Sequence, residues 1–448
     1  MKSNELVERI TAQFRQRVQE VLAQRSEFRS GHWLYDAEEV VEETVREVGR
    51  QLLEALVEQL RGGHQGQWHE DSQGQRRKFK DYRERTVRTR LGAIRIRRAK
   101  YESPEATPYG LCPLDALLGL RNSCSEGLEE LIALTAGEMT YAHTVEFLGK
   151  VLRVEMSPTK VQEVAGRWGQ RAGEQRRQRW PQETLSDRMA VAVDAACLRT
   201  SQRRRKRKNS RKQHFQEQWR EAKIGVLYGL NRRGRSPDRQ RRYVATLGDR
   251  DAFAAALWDR IVQAGADRAK LVVWLGDGAA WIWALKDEML PHAVEILDFV
   301  HARLHLTEVA DAVYGKGKRR QRWLHQQWDR LRHSRVHEVI AELHRLAHTL
   351  GRPTKRTRDD DPRKIVARNL GYFETNSGRM DYERYRRCGY PIASGVVESA
   401  CKQLVSHRLK LTAAMSWSEP QAESILQLRA LNRSRQWDSF WNLATSAA

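Results

Sequence analysis

The spacing of apolar side chains changes several times along the sequence, and each change predicts a different kind of element. In residues 1–62, apolar side chains recur at helical spacing from Leu6 to Val21 and again from Val41 to Leu60. Such stripes are typical of amphipathic helices, so two helices are expected in this segment. They either pack onto the rest of the chain or form a dimerisation element, and the pattern fits both interpretations.

A strand-like period replaces the helical one in residues 63–118. Apolar and polar side chains alternate from Arg85 to Arg97, and a turn-like glycine, Gly92, interrupts the alternation. This pattern predicts a β-hairpin within a small β-rich segment. One face of the hairpin carries several arginines, which are either solvated or in contact with the phosphates of a nucleic acid.

Residues 119–182 return to a helical pattern. Two helices are expected before Ser157-Pro158, which opens a third helix with serine as N-cap and proline at the first helical position. This arrangement suits a DNA-binding helix-turn-helix, although other helical hairpins share it. The polar face of the third helix carries Thr159, Lys160, Gln162, Arg167 and Trp168. Lys160 and Arg167 are its candidates for contact with DNA.

Five short runs rich in β-branched and other apolar residues predict strands between residues 183 and 302. The runs are 189–193, 222–228, 242–247, 271–275 and 294–299, and helical patterns lie at 251–264 and 279–289. The order βββαβαβ predicts an α/β fold with a ribonuclease H-like core. Residues 303–387 are expected to form a helical insertion in that core. Residues 388–448 then supply a further core helix and the C-terminal helices.

Three carboxylates occupy notable places in this pattern. Asp194 ends the first apolar run, Asp277 ends the fourth, and Glu398 lies at the start of a helical pattern. In an open α/β sheet, ligands bind outside the carboxyl ends of the strands. Carboxylates that meet there would bind hard divalent cations such as Mg²⁺. The competing interpretation is that the aspartates cap loops and that Glu398 pairs with Lys402, four residues further along a helix.

The charge of the chain indicates the class of partner. Lys and Arg number 80 against 57 Asp and Glu, which gives a formal charge of +23. Such a surplus in a chain that folds favours a polyanionic partner, and nucleic acid is the first candidate. Four consecutive basic residues beyond Asp194 are additional DNA-binding candidates: Arg203, Arg204, Arg205 and Lys206.

Other features bear on the compartment. No segment approaches the ~18 uninterrupted apolar residues that a membrane span requires, and the sequence after Met1 lacks the apolar core of a signal peptide. The five cysteines are scattered and are not spaced as metal-binding pairs. A cytoplasmic protein with reduced thiols and no membrane association is therefore expected.

The three acids, placed on this strand order, resemble the pattern of the DDE transposases of bacterial insertion sequences, and among them the ISKra-type group. The resemblance extends between Pro113 and Trp441. Its motifs are Val193-Asp194, Gly276-Asp277-Gly278-Ala279, Gly395 to Ser399, Arg408-Leu409-Lys410 and Met415 to Ser418. Asp298 and His301 are similar to an Asp-x-x-His signature of such enzymes. Two departures are the absence of paired cysteines near the N-terminus, so that no zinc is inferred, and the absence of a glycine directly before Met415.

This resemblance implies a transposase that cleaves DNA strands and transfers them at the ends of an insertion sequence. Asp194, Asp277 and Glu398 would hold two Mg²⁺ ions, for which Mn²⁺ substitutes, around an in-line phosphoryl displacement. Five residues would support the metal ions or contact the DNA: Asp298, His301, Lys402, Arg408 and Lys410. The partners would be double-stranded DNA, as terminal inverted repeats and as target, and further copies of the chain in a homodimer or larger oligomer.

Two other functions remain open. A ribonuclease H-like, structure-specific nuclease for branched DNA or RNA would use the same acids without strand transfer. A DNA-binding protein of transposon origin would no longer need them. The presence of all three acids disfavours the second alternative, and the helical insertion with the helix-turn-helix-like segment favours recognition of element ends over the first.

Overall fold

In a computed structural model, the chain combines α-helices with two separate β-sheets. The structure describes residues 3–71, 73–105, 109–175, 184–203, 215–236, 241–412 and 415–446. The chain divides into two compact units, of which the first contains the chain up to Ala165 together with the segment from Trp441, and the second is Gly166–Phe440. The expected α/β class is confirmed. None of the described helices is long and apolar enough to cross a membrane.

The first unit contains a helical pair, an antiparallel four-stranded sheet and further helices. The elements before the sheet are α1 (Ser3–Gln24) and α2 (Trp33–Glu58). The strands, which pair in sequence order, are β1 (Trp68–Glu70), β2 (Arg76–Thr89), β3 (Gly92–Glu102) and β4 (Gly110–Leu111). The helices after the sheet are α3 (Pro113–Leu117), α4 (Glu126–Glu138), α5 (Tyr141–Leu152) and α6 (Pro158–Gln175), the last of which continues into the second unit.

The predicted β-hairpin is formed by β2 and β3. Thr89 pairs with Gly92 across the turn, where Gly92 adopts a φ of 113°, a conformation that glycine accommodates without strain. The arginines of the hairpin are not uniformly solvated. Arg85 and Arg98 both bind Asp115, at 3.0 and 2.5 Å. Part of the arginine-rich surface therefore serves the internal structure of this unit.

The second unit is built on a five-stranded sheet. Its first elements are β5 (Arg188–Arg203), β6 (Phe215–Gly229), β7 (Arg241–Thr246), α7 (Arg250–Ala264), β8 (Leu271–Gly276), α8 (Ala280–Met289) and β9 (Val294–Leu297). The strands lie in the order β7-β6-β5-β8-β9. β5, β6 and β7 pair antiparallel, whereas β5, β8 and β9 run parallel. The predicted succession of five strands and two helices is present, and the apolar parts of the central strands, such as residues 189–193 of β5 and 272–276 of β8, are buried.

Helices make up the remainder of the second unit, as the pattern of residues 303–387 predicts. They are α9 (Phe299–Tyr314), α10 (Lys318–Arg332), α11 (Val336–Leu350), α12 (Pro362–Asn376), α13 (Tyr382–Arg387), α14 (Gly395–Cys401), α15 (His407–Leu409), α16 (Glu419–Arg433) and α17 (Trp437–Ser446), the last of which extends into the first unit. A π-helical turn, Lys402–Ser406, joins α14 to α15.

Two strand boundaries differ from the sequence prediction. β5 continues as far as Arg203, which pairs with Phe215 at the start of β6. The apolar pattern misses this extension because backbone hydrogen bonds hold the two strands together although their outer side chains are polar. β9 ends at Leu297 rather than in the following two residues, because the carboxylate of Asp298 accepts a hydrogen bond from the backbone N–H of His301 and thereby starts α9.

The packing of α6 against α16 leads to a stability prediction. A Cβ atom at Gly169 would lie 2.4 Å from the backbone oxygen of Ser424, whereas a Cβ at Gly166 in the same helix would meet open space. Gly169→Ala should lower the free energy of unfolding by about 1–3 kcal/mol, because the two helices must separate. Gly166→Ala should be neutral or stabilise by up to about 1 kcal/mol. Urea unfolding of both variants measures the difference, and equal effects would contradict this close packing.

Candidate active site

Asp194 and Asp277 lie at matching positions beyond the paired residues of two adjacent parallel strands, β5 and β8. Ala192 of β5 pairs with Leu275 of β8, and continuing this register by two residues brings Asp194 opposite Asp277. Both residues lie at the carboxyl ends of the buried parts of their strands, where α/β sheets bind ligands. The sheet thus brings together two carboxylates that are far apart in the sequence.

The environment of Asp194 is unfavourable for a negative charge. Its Oδ1 accepts a hydrogen bond of 2.7 Å from the backbone N–H of Ala195, and its Oδ2 lies 3.6 Å from the thiol sulfur of Cys401. Burial raises the pKa of Asp194, and the negative charge of Asp277 raises it further, while the positive charge of His301 acts in the opposite direction. A cation placed beside this pair of aspartates would relieve their repulsion.

A side chain of helix α12 fixes the turn that carries Asp277. The Oδ1 of Asp277 accepts a hydrogen bond of 2.9 Å from the N–H of Ala279, and its backbone oxygen accepts one of 2.8 Å from the hydroxyl of Tyr372. Burial and the charge of Asp277 raise the pKa of Tyr372, so its hydroxyl stays a donor. Gly278 has a φ of 106°, and a Cβ there would lie 2.6 Å from the Tyr372 ring. The close approach of the ring therefore requires glycine.

Asp298 is a fully buried carboxylate at the same edge of the sheet. Gly276 of β8 pairs with Leu297 of β9, so the next residues in this register are Asp277 and Asp298. One carboxylate oxygen of Asp298 accepts the His301 N–H at 2.8 Å, and the other accepts the Ser394 N–H at 2.5 Å. Asp298 therefore connects the start of α9 with the segment that precedes α14.

His301 projects from the first turn of α9 toward this edge. Its Nδ1 lies 3.7 Å from a carboxylate oxygen of Asp298, which is an electrostatic contact longer than a hydrogen bond. Asp298 raises the pKa of His301 against the opposing effect of burial, and the charges of Asp277 and Asp194 raise it too. His301 therefore carries positive charge to a higher pH than an ordinary histidine does.

Glu398 lies on α14, which packs against β5 and β6. Its carboxylate accepts a hydrogen bond of 2.7 Å from the ammonium group of Lys402, and both side chains are more than half exposed. Partial burial raises the pKa of the Cys401 thiol, and the charges of both Asp194 and Glu398 raise it further, so this half-buried cysteine lies near both carboxylates. Cys401 follows Glu398 by three residues, so the helical period could have identified it as a neighbour.

The donor set partly fits divalent cations. Two converging aspartates are the oxygen ligands that Mg²⁺ prefers, and their mutual repulsion favours a cation between them. Among the residues that the structure describes, however, no three His, Cys, Asp or Glu side chains form a cluster ready to hold a metal ion. The Glu398 side chain, bound to Lys402, is the one that would have to reorient.

The two other basic candidates near this edge have different surroundings. Arg408 is buried, and its guanidinium carbon lies 4.8 Å from the ring centre of Trp417. Trp417 in turn donates a hydrogen bond to the backbone oxygen of Leu409 at 3.1 Å. Arg408 thus contributes to packing, and a direct contact with DNA would require its exposure. Lys410 is exposed, and its charge lowers the pKa of the Cys401 thiol.

The DNA-binding candidates outside this edge are only partly described. Ser157 caps α6 as predicted, through a hydrogen bond from the N–H of Lys160. The Lys160 ammonium group lies 3.0 Å from the carboxylate of Glu163, and Arg167 is partly buried. The assignment of Trp168 to a polar face is wrong, because its side chain is fully buried and packs edge-on against Phe440.

The basic run after Asp194 begins at the end of β5. Arg203 is the last residue of this strand, whereas Arg204, Arg205 and Lys206 lie outside the described residues. Their predicted contact with DNA stays a prediction.

A comparison with protein families gives one match that spans most of the chain. The model of the uncharacterised protein family (UPF0236) matches residues 29–436. The chain belongs to the UPF0236 family. The match includes α2 to α16 and every candidate residue of the site described above. Among curated proteins, no sequence matches this UPF0236 protein.

A second glutamate near the sheet, Glu423 of α16, is already engaged in this UPF0236 protein. Its carboxylate accepts a hydrogen bond of 2.7 Å from the N–H of Leu247, at the end of β7, and one of 2.6 Å from the side chain of Gln427. These bonds attach α16 to β7. The carboxylate of Glu398, which among the described residues accepts a side-chain hydrogen bond from the exposed Lys402, is therefore the more available one.

The contacts of Asp298 lead to a pH-dependent prediction for the UPF0236 protein. Asp298→Asn should lower the pKa of His301 and reduce the free energy of unfolding. In the wild type, the pKa of His301 is raised above the ordinary histidine value of 6.5. The Asp298–His301 pair therefore stabilises the fold fully below pH 6.5, and this contribution is lost as the pH rises through the raised pKa. The difference in unfolding free energy between wild type and variant should therefore shrink with increasing pH.

Histidine NMR titration and urea unfolding at several pH values measure both effects. Asp287→Asn is the matched control, because Asp287 is exposed and pairs with Lys286. An unchanged His301 pKa in Asp298→Asn would contradict the electrostatic contact.

Proposed function

We propose that this protein is a DDE-type transposase that cleaves and transfers DNA strands at the ends of an insertion sequence. The observation that carries the proposal is the shared register of Asp194 and Asp277 at the carboxyl ends of parallel strands, with Glu398 on the helix that packs against the first of them. The strand order β7-β6-β5-β8-β9, with only the first two pairings antiparallel, supports a ribonuclease H-like core.

Each residue of the site has a role in this proposal. Asp194 and Asp277 would hold the metal ions, and Glu398 would complete the ligand set if its side chain left Lys402. That exposed pair is worth only about 0.3–0.5 kcal/mol, so metal binding can displace it. Two Mg²⁺ ions, when bound, supply Lewis acidity that activates water or a 3′-hydroxyl and neutralises charge on the phosphate. Asp298 orients His301, whose positive charge faces the phosphate at the same edge.

The charge distribution supports DNA as the substrate. The helical region 303–387 contains 21 Lys and Arg residues against 11 Asp and Glu, and it adjoins the candidate active site through α9 and α12. A protein surface of this sign attracts the phosphate backbone and positions DNA without reading its sequence. Recognition of particular ends would then require base contacts, for which Lys160 and Arg167 stay candidates.

Substitution of the three acids tests the proposal directly. Asp194→Asn, Asp277→Asn and Glu398→Gln should each reduce Mg²⁺-dependent strand cleavage by roughly 10³-fold or more, and the combined variants should lose little beyond that, because the residues act as one unit. The changes keep the side-chain shape but remove the charge that holds the cations. Cleavage and strand transfer are measured separately with duplexes that carry the flanking inverted repeats.

Two controls make this experiment specific. Asp187→Asn alters an exposed aspartate just before β5, at the opposite end of that strand, and should keep full activity. In the absence of metal, Asp194→Asn should melt at a higher temperature than the wild type, because the repulsion between Asp194 and Asp277 is removed. Addition of Mg²⁺ or Mn²⁺ should stabilise the wild type but not this variant. Normal cleavage by all three variants would exclude the proposal, and cleavage without strand transfer would identify a nuclease instead.

The affinity for DNA should depend steeply on salt. With a formal charge of +23, the chain is expected to make many phosphate contacts, and each contact releases counterions. Raising the salt from about 50 to 200 mM should weaken binding roughly 10³-fold or more if six or more phosphates are contacted. Fluorescence anisotropy with a labelled duplex measures this slope, and a flat response would contradict the nucleic-acid assignment.

A further inference from the structure

Exposed apolar side chains are concentrated near the N-terminus. Of the 24 large apolar side chains that are exposed in the described part of the chain, 12 lie between Val7 and Leu60. This short segment therefore holds half of them, far more than its share of the sequence. Scattered apolar side chains are normal on protein surfaces, but a concentration of this kind marks an interaction site.

Helix α2 has two distinct apolar faces. One face contacts the β2–β3 hairpin, since Leu53 and Val57 pack against its core and the Arg50 guanidinium donates a hydrogen bond to the backbone oxygen of Leu91 at 3.3 Å. The other face remains exposed in the described structure. It carries Val41, Val45, Leu52 and Leu56, at exposures of 50, 57, 43 and 51%. These positions recur every four and seven residues, which is the spacing of a helix–helix seam.

Helix α1 presents a similar stripe beside it. The exposed stripe comprises Val7, Phe14, Val18 and Leu22. An ion pair of 3.7 Å between Arg9 and Glu58 joins the start of α1 to the end of α2, so the two helices run antiparallel. None of the α1 residues whose side chains are described is buried. Because a helix gains most of its stability from burying an apolar face, α1 requires a partner.

The charge and size of this helical pair identify the partner as a protein. Helix α2 carries eight acidic residues against two arginines, in a chain whose net charge is +23, which disfavours nucleic acid on this surface. With 26 residues, α2 is about 39 Å long. Helix α1, with 22 residues, is about 33 Å long, so the two helices side by side present roughly 700 Å². A stable interface needs about 800 Å² from each partner.

We propose that the α1–α2 pair is a dimerisation surface and that its occupant is the α1–α2 pair of a second copy of this chain. A two-fold dimer uses the same patch on both subunits, so a stripe of uncharged apolar side chains is complementary to itself. The four helices then form a bundle in which both stripes are buried. This inference concerns assembly without DNA and does not rest on the proposed catalytic function.

The mass of the protein in solution tests the interface. Light scattering after gel filtration should give about twice the chain mass of 52.1 kDa for the wild type without DNA. Val45→Glu combined with Leu52→Glu should raise the dimer dissociation constant by about 100-fold or more, because each subunit would bury two charges. Leu117→Glu is the matched control, since Leu117 is 64% exposed but lies outside the helical pair, and it should remain dimeric.

Photo-crosslinking keeps the test independent of the folding of these variants. A benzoylphenylalanine introduced at Val45 should form crosslinks between isotopically light and heavy copies, with the attached peptide in α1 or α2, whereas the same group at Leu117 should not. A monomeric wild type at micromolar concentrations would overturn the proposal. A dimer that survives the double substitution, or crosslinks to other regions only, would overturn it as well.

Discussion

Two half-buried like charges at one edge of a sheet are the constraint on which the candidate site depends. Asp194 and Asp277 share a register, so the fold cannot separate them without changing the pairing of β5 with β8. The N–H groups of Ala195 and Ala279 offset part of the cost by donating one hydrogen bond to each carboxylate. His301 adds a positive charge nearby. A bound cation would remove the remaining repulsion between the two aspartates. In a purely structural role, two adjacent negative charges would bring no benefit.

Helices α9 and α12 stabilise this edge of the sheet rather than merely adding surface. From α12, the Tyr372 hydroxyl binds the backbone of Asp277, and its ring fits against Gly278. Asp298 binds the N–H groups of both His301 and Ser394, so one buried carboxylate fixes the start of α9 and the approach to α14. Long-range contacts of this kind hold the site from several elements at once, which limits its reorganisation when ligands bind.

The sequence predicts those parts of the fold and site that depend on local pattern. Apolar runs identify the five strands of the second sheet because those parts of the strands are buried on both faces, and Asp194 and Asp277 stand out because each ends such a run. Arg408 and Trp168 are different. Both are polar or amphipathic residues that a pattern assigns to a surface, yet tertiary packing buries them. The same limit applies to the Glu398–Lys402 pair, whose geometry depends on rotamers that no periodicity specifies.

The helix that bears Glu398 ends in an irregular turn, and a side chain of α16 stabilises that turn. Directly after Cys401, the chain forms the π-helical turn Lys402–Ser406. Such turns are rare, and they occur frequently at functional sites. Here the turn leaves the backbone oxygen of Gln403 available, and the buried guanidinium of Arg429 donates a hydrogen bond to it at 2.9 Å. The hydrogen bond from α16 thus offsets part of the cost of the irregularity, which begins four residues after the glutamate that would complete the metal site.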